Sequence, residues 1–199
     1  MVIKQSSAEI IRVLLSSPWK ERSILEISNS TRINYRIVYQ EVMDLRGRGI
    51  INITKKGASN MCTINLAKDI QAYAYVESLR SESFKKKHPD IEVVGNELGR
   101  VKTTYYSAII FGSYAKGKAT GRSDLDILFI IPNTLKPEIF EKEVSSRFKL
   151  LSYKLDINVI TEESFLEMKD SKTLNIVTEA LKDHIILFGG EAYYRLLAK

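Results

Sequence analysis

An α+β protein in two domains is what this sequence predicts, and three observations carry the prediction. The excess of positive charge is confined to the first third: residues 1–68 hold 11 Lys and Arg against 5 Asp and Glu, whereas residues 69–199 hold 19 of each. Helical apolar stripes and then a hairpin pattern fill that first third, while buried strands alternate with helices further on. Between them runs a helical stretch that ends in Lys85-Lys86-Lys87 and is broken at His88-Pro89. The chain accordingly divides into an N-terminal domain over 1–68, a helical connector over 69–90 and a C-terminal domain over 91–199.

In the N-terminal domain, Ser6 and Glu9 have the spacing of a capping box. Ile10, Ile11, Leu14 and Leu15 continue it as an apolar stripe, which Ser17-Pro18 stops. Ser23 with Glu26 opens a second, short helix through Ile24, Leu25 and Ile27. Asn34 is a good N-cap for a third helix running to about Arg46, with Ile37, Val38, Val42 and Leu45 as its inner stripe. Gly47 and Gly49 end it. Residues 50–54, a polar turn over 55–60, and residues 61–66 then read as a β-hairpin.

This order of elements over residues 6–66 resembles a winged helix-turn-helix. The resemblance implies DNA binding, with the third helix in the major groove and the hairpin tip on the backbone. Tyr35, Arg36, Tyr39 and Gln40 lie opposite the inner stripe, and Lys55 and Lys56 lie at the tip. Arg and Gln read base edges, and Lys suits phosphates. A dimerisation or docking module would show the same pattern. Trp19, beside Pro18, is expected to pack under this domain.

Residues 67–87 continue as a helix with Ile70, Tyr73, Ala74 and Leu79 on one side, and the lysine run is its solvated end. A further helix from 91 to about 104 leads into a strand over 106–111. There Gly112-Ser113 turns the chain out of the strand, exposing backbone N–H groups and a hydroxyl where a phosphate would bind. Neither the P-loop nor the dinucleotide glycine spacing is present, so the turn alone is weak evidence.

Asp124-Leu125-Asp126 then leads into residues 127–131, a strand buried on both faces. Alternate residues of a strand face the same way, so the two carboxylates project together, about 7 Å apart, with Leu125 and Ile127 behind them. Such a pair is either solvated in a turn or needs a cation between its members. Hard divalent cations with oxygen ligands meet that need, and Mg²⁺ characteristically shares carboxylates with substrate phosphates. Residues 154–160 repeat the strand pattern with Asp156 where a core residue is expected. If the two strands are neighbours, Asp156 lies roughly 5 Å from the first pair. Three carboxylates beside a phosphate-cradling turn form a two-metal site. Helices over 162–169 and 173–183 follow.

Gly112-Ser113, Ser123-Asp124-Leu125-Asp126, Asp156 and the closing Ile185-Ile186-Leu187-Phe188-Gly189-Gly190-Glu191 resemble the nucleotidyltransferase superfamily that includes DNA polymerase beta. Within it they are most similar to the minimal nucleotidyltransferases of prokaryotes. The resemblance implies a mixed sheet with flanking helices. It also implies an NTP, with ATP the expected donor, held by Gly112, Ser113 and Ser123. Two Mg²⁺ would be held by Asp124, Asp126 and Asp156, the last helping to deprotonate the acceptor hydroxyl. The implied reaction is in-line attack on the α-phosphate with release of pyrophosphate. Lys116, Lys118 and Arg122 are candidate triphosphate contacts or plain surface cations. Tyr114 stands where relatives commonly carry an arginine.

The expected acceptor is macromolecular, a toxin-like protein or an RNA end, since the C-terminal helices are slight for a small-molecule pocket. The protein would then be antitoxin-like, pairing DNA binding with nucleotidyl transfer. The rival reading is a DNA-binding transcriptional regulator whose second domain only senses nucleotide or docks a partner. A homodimer is compatible with both.

Composition bounds the remainder. The hydrophobic fraction is 44% of 199 residues, enough for a core without staples. Cys62 is the only cysteine, which excludes an intramolecular disulfide and fits a reducing, cytoplasmic setting. Arg12 interrupts the apolar patch over 8–15, so no secretory signal is read there. The run 127–131 is far short of the roughly 20 residues a membrane span needs, so no membrane partner is expected. Two histidines and one cysteine give no zinc pattern. His88 reads as a surface residue and His184 as a cation at a helix end. The tyrosine pairs 105–106 and 193–194 read as core or interface.

Overall fold

The computed structural model describes residues 3–103, 105–149 and 154–199. The chain divides into two compact units, Met1–Val76 and Glu77–Leu197. The first contains α1 (Gln5–Leu15), β1 (Arg22–Ser23), α2 (Ile24–Thr31), α3 (Tyr35–Gly47), β2 (Ile51–Lys56) and β3 (Ser59–Ile64). The three strands form an antiparallel sheet in the order β1-β3-β2. Ile10, Ile11, Leu14, Leu15, Ile27, Val38, Val42 and Leu45 are all buried and make the core of this unit.

Local chemistry explains most of these boundaries. The Ser23 side chain accepts from the Glu26 N–H while the Glu26 carboxylate takes the Ser23 N–H, so the capping box of α2 is formed in both directions. Asn34 caps α3 by accepting from the Arg36 N–H at 2.9 Å. The box expected at Ser6 and Glu9 does not form. Ser6 lies inside α1, whose N-cap is Lys4, and Glu9 is drawn instead into an ion pair with Arg12 at 2.7 Å. Ile37 also leaves the inner stripe and is 46% exposed. The residue that joins Val38, Val42 and Leu45 is Glu41, which stays buried because Ser7 Oγ and Lys4 Nζ donate to its carboxylate at 2.6 and 3.0 Å. The hairpin is tighter than expected: Lys56 pairs with Ser59, leaving only Gly57 and Ala58 as the turn. Lys55 and Lys56 are therefore strand residues beside the tip. Trp19 does not pack beneath the domain but is 58% exposed.

The second unit is entered within α4 (Ile70–Lys87) and continues through α5 (Pro89–Leu98), β4 (Ser107–Ile110), α6 (Gly112–Ala115), β5 (Leu125–Ile131), α7 (Pro137–Phe148), β6 (Leu155–Thr161), α8 (Glu162–Lys169), α9 (Ile176–Lys182), β7 (Ile185–Phe188) and α10 (Gly190–Leu197). Its sheet runs β6-β5-β4-β7, with β5 and β6 parallel and the other pairs antiparallel. The parallel pair needs a crossover, and α7 supplies it. Ile127, Phe129 and Ile131 pack with Val94 and Leu98 of α5 and with Phe140, Val144 and Phe148 of α7. Leu128 and Ile130, on the other face of β5, are buried as well, so the strand is covered on both sides as its composition predicts.

Several boundaries move. α5 starts at Pro89, a favoured first helical residue, and ends at Leu98; Thr104, to which the sequence extends this helix, lies outside the described residues. α9 is shorter than the expected 173–183 because Asn175 forms its cap. Leu79 is 40% exposed, its place on the buried face of α4 taken by Glu77 and Ser81. His184 is not an exposed cation. It is buried, its Nδ1–H donates to the Ala180 carbonyl, and burial lowers its pKa. Tyr106, Tyr193 and Tyr194 are buried, whereas Tyr105 is exposed. Among the described residues no helix is long and apolar enough to cross a membrane.

Candidate active site

The site is built where β4 gives way to α6. The last ladder bond of β4 is carried on by the Phe111 N–H, which donates to the Asp126 carbonyl at 3.1 Å. The chain then turns at Gly112 with φ +67°, and a Cβ there would stand 2.0 Å from Asp126 Oδ2. Only glycine allows that approach, on both counts. The Ser113 N–H favours the charged form of the Asp126 carboxyl. The Gly112-Ser113 turn thus closes on the Asp126 side chain, a use the sequence does not disclose. The helix it opens is a single turn, Gly112–Ala115.

Strand register brings the next carboxylate in. The Leu125 N–H donates to the Lys154 carbonyl at 2.9 Å, and Asp126 is the register partner of Asp156. Asp126 and Asp156 therefore sit side by side on neighbouring strands, about 5 Å apart along the sheet. Partial burial, then the charges of Asp156 and Asp124, raise the pKa of Asp126, against the opposing pull of the Ser113 N–H and Lys116. Asp156 is exposed on edge strand β6. Asp124 precedes β5, and its Oδ2 lies 2.6 Å from Lys154 Nζ. Asp124, Asp126 and Asp156 thus lie towards the same end of the parallel pair, with only Asp126 and Asp156 as register partners.

Ser123 has a local task, since its Oγ accepts from the Thr120 N–H at 2.9 Å and closes the turn ahead of Asp124. Lys116 is 3.6 Å from Glu179 of α9, which also holds Lys182. The Tyr114 ring meets His88 edge-on at 5.8 Å, so His88 is half-buried against an aromatic neighbour rather than a free surface residue.

Among the described residues no group of three carboxylate, thiol or imidazole side chains converges closely enough to hold a metal ion. The donor set nevertheless fits a hard divalent cation. Asp126 and Asp156 are register partners whose charges repel, and their oxygens, with those of Asp124, are the ligands Mg²⁺ prefers. Lys154, paired with Asp124, answers part of that negative charge.

In the first unit the candidate DNA-facing residues Tyr35, Arg36, Tyr39 and Gln40 are all exposed on α3, with the Tyr35 and Tyr39 rings 6.4 Å apart. Lys55 and Lys56 are exposed near the hairpin tip, and Lys56 pairs with Glu21.

Sequence reasoning missed Lys154 and Glu179. Lys154 lies two residues before Asp156, on the same side of the strand, which is the only signal it offers. Glu179 offers none, since its contact with Lys116 spans distant elements.

A mixed sheet with carboxylates at one end of its parallel pair is what this unit presents. Residues 98–190, just under half of the chain, match the family model described as nucleotidyltransferase domain, consistent with the DNA polymerase beta superfamily. That span runs from the end of α5 to the start of α10 and includes the Gly112-Ser113 turn and all three aspartates. Neither the curated proteins nor the solved structures yield a significant match.

Proposed function

We propose that this protein transfers a nucleoside monophosphate from an NTP, ATP first, to a hydroxyl of a macromolecular acceptor. The observation that carries the reading is the β5–β6 register, which sets Asp126 beside Asp156 within a matched nucleotidyltransferase domain. Asp124, Asp126 and Asp156 are the residues that would hold two Mg²⁺. When bound there, Mg²⁺ supplies charge stabilisation for the attacking and leaving oxygens of an in-line displacement.

The residues of the chain then divide the work. Gly112 leaves room for the Asp126 carboxylate, and with Ser113 it would bring backbone close to the site for the triphosphate. Lys116, restrained by Glu179, offsets triphosphate charge. Asp156, which is exposed, would accept the proton of the incoming hydroxyl. The short helices α8 and α9 favour a large acceptor that brings its own binding surface. Incubation with α-labelled NTPs, Mg²⁺ and candidate protein and RNA acceptors tests the reading. Transfer should fall at least about a hundredfold in Asp124→Asn and Asp126→Asn. A folded wild-type protein that labels nothing across a broad acceptor set would sink it.

The first unit supports a DNA-binding role beside this activity, or in its place if the second unit only senses nucleotide. Its helix order, its exposed α3 face and its charge excess support that reading, and salt-dependent binding to duplex DNA tests it.

A further inference from the structure

Lys154 stands alongside Asp124 because strand pairing puts it there. The Leu125 N–H bonds the Lys154 carbonyl, and β6 then runs parallel to β5 from Leu155 onward. At the head of this pair the Lys154 ammonium lies 2.6 Å from Asp124 Oδ2 and in the field of Asp156. The Lys154 side chain is 81% exposed and that of Asp124 35% exposed, so packing does not hold the contact. It is an electrostatic pair in water, easily exchanged for another partner. The four-carbon stem of a lysine lets its ammonium swing away without moving the strand.

We propose that Lys154 is a tethered counter-ion that occupies Asp124 until a divalent cation displaces it, so that the free protein binds divalent cations weakly. This rests on Asp124, Asp126 and Asp156 being the cation ligands. Two cations compete for one carboxylate, and the one that is built in is always present at high local concentration. A bound triphosphate changes the balance, because its oxygens give the displaced ammonium a new partner. Nucleotide and divalent cation then each raise the affinity for the other, as linkage requires. The arrangement would keep the acidic site charge-balanced and poorly metallated until the NTP arrives.

Mn²⁺ binding, followed by the paramagnetic resonance signal of the free ion, tests this without any transfer reaction. Wild type, Lys154→Met, Lys154→Arg and Asp126→Asn are compared with and without a non-hydrolysable NTP analogue. Lys154→Met should bind Mn²⁺ about three- to fivefold more tightly without nucleotide, the range an exposed ion pair allows. Lys154→Arg should behave as wild type, and the gain in Lys154→Met should shrink when the analogue is present. Because Lys154 is so exposed, all the Lys154 variants should melt as wild type does. If Asp126→Asn abolishes Mn²⁺ binding but Lys154→Met leaves affinity unchanged, the counter-ion role is overturned while the site reading stands. If Mn²⁺ binding is absent, or indifferent to Asp126, the site reading and the counter-ion role fall together.

Discussion

A side chain at Gly112 would carry two separate costs, and a second glycine allows them to be told apart. Gly112 and Gly117 have nearly the same backbone, φ +67° and +66°, but a Cβ at Gly112 meets Asp126 Oδ2 at 2.0 Å whereas one at Gly117 meets nothing within 4 Å. Gly117→Ala should therefore lose only the left-handed backbone cost, about 1–2 kcal/mol, with transfer activity nearly intact. Gly112→Ala should lose at least as much stability and, by pushing the Asp126 carboxylate aside, most of its activity. Denaturant unfolding and labelled transfer on both variants check this, and equal activities would mean that the Asp126 position is not critical. The same residues show what is readable one at a time. Asp124, Asp126 and Asp156 stand out in the sequence because carboxylates are unexpected at the head of apolar strands. Lys154 and the Asp126-facing use of Gly112 do not, since both depend on which strand lies next to which.

Elements announce their ends in the sequence only when the cap residue has no better partner. Ser23 and Glu26 formed the expected box, but Glu9 was captured by Arg12, and α1 begins without a side-chain cap. The link between α1 and α3 was equally hidden, because Glu41 reads as a surface residue until Ser7 and Lys4 are seen to satisfy it. The Ser7 hydroxyl, ahead of the opposing effect of burial, and then Lys4 hold the Glu41 pKa below its ordinary value of 4.5. A carboxyl that is more acidic folded than unfolded adds stability above its unfolded pKa, and that stability is lost as pH falls through the folded value. Glu41→Gln should therefore cost about 1 kcal/mol at pH 7, where charge-assisted bonds are lost. The difference from wild type should shrink steadily below about pH 4.5, as wild type gives up the same contribution. Urea unfolding at both ends of that range decides it; a constant difference would place the effect in packing rather than ionisation.

At the scale of the whole molecule, the division of charge was visible from composition alone, while its purpose depends on surfaces that composition does not describe. The excess of Lys and Arg in residues 1–68 accompanies an α3 face on which Tyr35, Arg36, Tyr39 and Gln40 are all exposed, and a hairpin with Lys55 and Lys56 beside its tip. If this unit binds duplex DNA, each phosphate neutralised should contribute a slope of about −0.9 in log affinity against log salt. Lys55→Ala should remove close to one such contact. Lys56 must first leave Glu21, an exposed pair worth at most about 1 kcal/mol, so Lys56→Ala should change the slope similarly but the affinity less. Arg36→Ala, on the helix that would face bases, should instead flatten the preference among sequences. Fluorescence anisotropy on the intact protein, from low to physiological salt, separates these outcomes. A slope that none of the lysine changes alters, or no salt-dependent binding at all, would leave the basic excess with solubility as its role and reduce the protein to its nucleotidyltransferase unit.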